Sequence, residues 1–173
     1  MTNRRYRQPA RWCVLAVLVL GLGGTVAACG PAATRSDDAG ALGSVSDHLD
    51  DASSAVATAE LAVRERAAGR LPAVTADVAV GDAVETATGA VHGIGTLVIA
   101  ADGAGRVRDD ALDAASGAVG PVAAARTWLG RPMSPADGVL RALEDAAGGL
   151  DDASGVVERE RAQTAARAER ATP

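Results

Sequence analysis

The chain holds no phenylalanine, one tyrosine, two tryptophans, two cysteines and two histidines in 173 residues. It has no lysine either, so all 17 of its basic residues are arginine. Each shortage removes a class of chemistry. Both cysteines, Cys13 and Cys29, fall within the first 30 residues. No disulfide can therefore close the rest of the chain, which must hold together by packing alone. A zinc or di-iron centre needs three or four converging ligands. His48 and His92 are the only histidines, and no Glu-x-x-His pair exists, so no metal is expected. Trp128 is the one aromatic side chain after residue 12, which leaves little for stacking on sugars or bases. There is no Gly-x-Ser-x-Gly nucleophile motif. Gly93-Ile94-Gly95 lacks both a preceding strand and the third glycine of a dinucleotide fingerprint. No catalytic residue and no cofactor is expected, and the chain reads as a non-enzyme.

What is present begins at the front. Arg4, Arg5, Arg7 and Arg11 give a basic start, and residues 1–28 contain no acid. Cys13 to Leu22 is apolar except for Gly21, and the run closes Val26-Ala27-Ala28-Cys29-Gly30. A basic start, an apolar middle and small residues at the end make a secretory signal peptide. The closing residues resemble the lipobox of bacterial prolipoproteins: an aliphatic residue, two small residues, then cysteine. The resemblance covers about the first 30 residues, and no family is recognised for the rest. It implies a diacylglyceryl thioether on Cys29, cleavage before it and acylation by palmitate-like chains. Two or three such chains hold a protein on a bilayer where one does not. The resemblance thus places the protein on the extracytoplasmic face of the cell membrane, with the membrane as a partner through Cys29. Two readings compete with it. A plain signal cut after Ala28 would leave Cys29 unmodified, and an uncleaved anchor would need a longer run than this one. Arg4-Arg5 suggests a twin-arginine signal, but Arg7 stands where that signal carries an apolar residue.

Removing residues 1–28 takes away four arginines and no acids, so the net charge moves from −5 to −9. A surface this acidic argues against nucleic acid and against anionic lipid headgroups as a broad partner surface. About a quarter of the chain is alanine. Alanine, glycine, valine, arginine and aspartate without lysine suit a GC-rich genome, as in actinobacteria.

Residues 29–43 carry glycine, proline, serine and charge with little to bury, and are expected to form a disordered tether after the lipid. Residues 44–158 are expected to form an all-α, antiparallel four-helix bundle, and 159–173 a polar, fraying C-terminal tail. The first helix is predicted from Ser44 to Ala68, with Val45, Leu49, Ala52, Val56, Ala59 and Val63 on one face. Gly69 should stop it. The second is predicted from Thr75 to Ala101 on a stripe of Val80, Val84, Ala87, Val91, Ile94, Val98 and Ala101. Between Glu85 and Asp102 no residue carries a formal charge except possibly His92, so this should be the most buried helix. The third starts near Arg106 on Val107, Ala111, Ala115, Ala118 and Val122. Gly120-Pro121 should either kink it or end it. The fourth should open with Ser134 as cap and Pro135 in the first helical position, on Ala136, Leu140, Leu143, Ala147, Leu150 and Val157.

One octapeptide recurs in each predicted helix: Leu49–Val56, Val84–Val91, Leu112–Val119 and Leu150–Val157. Duplication of a helical hairpin or convergence on an alanine-rich heptad would each produce it, and either supports four similar helices. Asp47, Asp50 and Asp51 around His48 read as a solvated helix start. Asp109, Asp110, Asp113, Asp151 and Asp152 lack the central glycine and closing glutamate of a calcium loop and read as charged outer faces. Trp128 should plug one end of the bundle. The functional expectation is a lipid-anchored envelope protein that docks a protein partner. The alternative is a carrier for an apolar, lipid-like ligand enclosed by alanine-walled helices.

Overall fold

Spacings of three and four in the sequence become four packed helices. The computed structural model describes residues 38–132 and 134–171. Helix α1 spans Asp38–Ala67, α2 Ala73–Thr96, α3 Asp102–Gly130 and α4 Asp137–Ala171. The fold is all-α, an antiparallel four-helix bundle. Short connections force neighbouring helices to run in opposite directions. His48, early in α1, lies over Gly93, late in α2. Arg126, late in α3, reaches Asp77, early in α2. Glu160, late in α4, approaches Gly103, early in α3.

The buried positions repeat every seven residues. In α1, Leu42, Val45, Leu49, Ala52, Val56, Ala59 and Val63 are all fully buried. In α2 two interleaved rows, Ala76-Ala83-Ala90 and Val80-Ala87-Ile94, are buried, and in α3 Ala104-Ala111-Ala118-Ala125 and Ala115-Val122-Leu129. In α4 it is Leu143, Leu150 and Val157. A sustained seven-residue repeat is the seam of left-handed helix packing. The octapeptide copies share this seam in different rotations. Its first and eighth positions are buried in α1 and α4, but Val84, Val91, Leu112 and Val119 are only half-buried. In α2 and α3 the fourth and seventh positions, Ala87 with Ala90 and Ala115 with Ala118, turn inward instead.

Helix α1 packs against all three other helices, whereas α2 and α4 do not meet. The section is therefore a rhombus, with α1 and α3 across its short diagonal. Alanines Ala52, Ala59, Ala111, Ala115 and Ala118 are fully buried on these two helices, and side chains this small let backbones draw close. The most enclosed helix is α1 rather than α2. The uncharged stretch after Glu85 marks neutral surface, since Thr86, Thr88, Gly89, Gly95 and Thr96 on it are exposed.

Other boundaries differ from expectation. α1 begins at Asp38, inside the segment read as tether, because Ala41 and Leu42 are buried by the bundle. Gly43 of that segment lies beside the Arg161 guanidinium of α4. α2 ends at Thr96, and its predicted last stripe residues, Val98 and Ala101, are exposed in the connection that follows. α3 runs unbroken through Pro121. α4 starts at Asp137, three residues after Ser134, and stays helical to Ala171 through most of the stretch read as a fraying tail. The signal peptide of 1–28, Cys29 and the tether as far as residue 37 lie outside the described residues.

Candidate functional site

The two ends of the bundle are built differently. At the end formed by the α1–α2 turn and the α3–α4 corner, Gly69 adopts φ 70°, the left-handed conformation that glycine enters without penalty. The Arg70 N–H donates to the Glu65 carbonyl at 2.9 Å and the Gly69 N–H to the Arg66 carbonyl at 3.0 Å, which is the Schellman closure. A hydrophobic contact commonly bridges this closure. Here Arg70 and Glu65 do so, with Nε and Nη2 each 2.6 Å from a carboxylate oxygen. The guanidinium hydrogen bonds hold the Glu65 carboxyl below its ordinary value, and the carboxylate raises Arg70. At the neighbouring corner Trp128 is buried, and its indole N–H donates to the Ser134 carbonyl at 2.8 Å. It closes this end of the core, as its position in the sequence implied.

Below that corner an open groove of about 680 Å³ runs between α2 and α3. Val84 and Ala123 form its apolar floor, and Asp77, Arg126, Thr127 and Arg131 stand around it. The Arg126 guanidinium lies across Gly81, where a Cβ would sit 3.5 Å from Nη2, and its Nε is 3.5 Å from Asp77 Oδ1. Gly81 thus gives the long side chain a flat seat. Val74 and Val78 continue the exposed apolar surface outward on α2, and Leu61 on α1 is 62% exposed. A second shallow groove between α1 and α2 includes Ser54, Thr58, Ala79 and Thr86.

At the opposite end the Leu97–Ala101 connection is held from two sides. The Ala100 N–H donates to Asp38 Oδ1 at 3.1 Å, and Arg108 Nη1 donates to the Leu97 carbonyl at 3.1 Å. Arg108 Nη2 is 2.7 Å from Asp109, while its buried Nε has no hydrogen-bond partner among the described residues.

The residues singled out in the sequence stay apart. His48 rests its imidazole on Gly93, with Nδ1 3.8 Å from Asp51 Oδ2, and His92 is exposed. Asp109, Asp110, Asp113, Asp151 and Asp152 are all exposed on helix surfaces. Among the described residues, no three of the histidines, cysteines and acids come together as metal ligands, and no helix is long and apolar enough to cross a membrane. Cys29, the residue expected to carry lipid, lies outside the described residues. Sequence reasoning missed the Asp77–Arg126 groove. Its rim residues are 49 apart in sequence and meet only through the α2–α3 hairpin.

Protein-family models, curated proteins and solved structures offer no match to this chain. The residues and their geometry therefore carry the functional reading unaided.

Proposed function

We propose that the chain is a non-enzymatic docking module of the bacterial cell envelope, held on the extracytoplasmic face of the membrane by lipid on Cys29. The α2–α3 groove receives a protein partner. The observation that carries this is the groove itself. It has an apolar floor at Val84 and Ala123, a rim of both charge signs at Asp77, Arg126 and Arg131, and exposed Val74 and Val78 alongside. Protein interfaces combine a buried apolar centre with a polar rim that fixes orientation. The openness of the grooves supports docking over the enclosed carriage of an apolar ligand.

The test is photocrosslinking in intact cells from positions 78 and 126, with exposed Asp145 on α4 as the control position. A discrete protein adduct from the first two positions alone is expected, and Val84→Glu should abolish it. Identical adducts from all three positions, or none, would overturn docking at this groove. The mass of the N-terminal peptide reports separately on the lipid at Cys29.

A further inference from the structure

We infer that the bundle stands end-on upon the membrane, seated on the Leu97–Ala101 connection with Val98 in the lipid interface. This rests on the proposed lipid at Cys29.

The connection is extended at its start, with Leu97 at φ −72° and ψ 133°, and extended chain alternates its side chains. Leu97 and Ile99 turn inward and pack against the core. Val98 between them turns outward and is 86% exposed, more than any other exposed large apolar residue described. It is not on a loose loop. The bonds from Ala100 to Asp38 and from Arg108 to Leu97 fix the backbone on either side of it. An apolar side chain held outward on a fixed backbone meets an interface without an ordering cost.

Its position relative to the anchor selects the occupant. Val98 lies at the end where α1 begins, since Ala100 is bonded to Asp38. Asp38 is the ninth residue after Cys29, a reach of at most about 30 Å when fully extended. The lipid thus keeps this end beside the bilayer, while α1, at 30 residues, carries the opposite end about 45 Å along its axis.

Charge favours standing over lying flat. The long sides of the bundle expose acids on every helix, among them Asp50 on α1, Glu85 on α2, Asp113 on α3 and Asp151 on α4. Anionic headgroups repel such faces. The seated end instead sets Arg106, Arg161, Arg167 and Arg170 beside Glu160 and Glu169, with Arg167 paired to Glu160, so headgroups repel it less than the acidic sides. Three further acids at this end have their charge met locally. Asp38 accepts from Ala100, Asp109 pairs with Arg108, and Asp102 lies in the first turn of α3, where the helix dipole favours it. One valine anchors nothing by itself. Acyl chains already supply the affinity, so Val98 and the arginines need only choose the orientation.

Once Cys13 leaves with the signal and Cys29 is lipidated, no thiol remains in the chain. Val98→Cys and Val74→Cys therefore each give a single labelling site on an exposed residue, at opposite ends of the bundle. Full-length protein lipidated in its host would be placed in vesicles of phosphatidylcholine with about one-third phosphatidylglycerol, and labelled with an environment-sensitive dye. Expected is a blue-shifted dye at position 98, quenched several-fold more by headgroup-level spin-labelled lipid than the dye at position 74. Equal quenching at both positions, stronger quenching at 74, or none at either overturns the seat. The N-terminal peptide mass is read first on the same sample. Lipid present with position 98 in water defeats the seat and leaves the anchor standing, whereas no lipid on Cys29 defeats both.

Discussion

Glycine in this bundle does two opposite things, and the distinction is made at single residues. Gly89 and Gly148 sit in helices with open space where a Cβ would be. Alanine at either position should stabilise by about 0.5–1 kcal/mol, because glycine pays more backbone entropy in a helix. Gly93 is different. A Cβ there would overlap the imidazole of His48, so Gly93→Ala should destabilise by up to about 1 kcal/mol as the part-exposed ring is pushed off its rotamer. Removing the ring reverses the sign. In a His48→Ala background, Gly93→Ala should stabilise as Gly89→Ala does. Urea unfolding of the four variants reads the cycle, and additive effects of the two substitutions would mean that the ring does not occupy this seat. His48 is thereby a packing residue between α1 and α2, a role its acidic surroundings in the sequence did not reveal.

At the scale of the element, helix interiors were legible and helix ends were not. All six core residues read for the first helix are fully buried, because a heptad stripe is a local pattern that survives folding. The tether reading failed at Ala41 and Leu42 because their burial comes from packing within the bundle, which local composition does not record. The stripe in α2 was carried on to Val98 and Ala101, where the helix has already given way to an extended connection. Of the candidate sites, Cys29 was read from a short local motif, but the groove rim depends on topology and left no local signal. The α1–α2 turn was foreseen from Gly69, though its ion pair was not. Because Arg70 lowers the Glu65 pKa, the pair adds stability above the ordinary glutamate value and loses it as pH falls through the lowered one. Arg70→Ala should return the Glu65 carboxyl midpoint to the ordinary value, followed by carbon-detected NMR titration. It should also make the acid-side loss of stability shallower. An unmoved Glu65 midpoint would show that the pair does not persist in solution.

For the molecule as a whole, the rhombic section follows from what lines it. Alanine supplies about half of the buried apolar positions among the described residues, and the α1–α3 diagonal closes on it. Unfolding uncovers the same peptide backbone whether a helix stripe is alanine or leucine, but alanine uncovers less hydrocarbon. Exposed hydrocarbon raises the heat capacity of the unfolded chain, and exposed peptide groups lower it. The increment should therefore fall below the usual value of about 12–15 cal/mol/K per residue. Differential scanning calorimetry measures it directly, and an ordinary increment would count against so lean a hydrocarbon interior. A small increment flattens the dome of free energy against temperature. The fold would then lose little stability on cooling and yield gradually on heating.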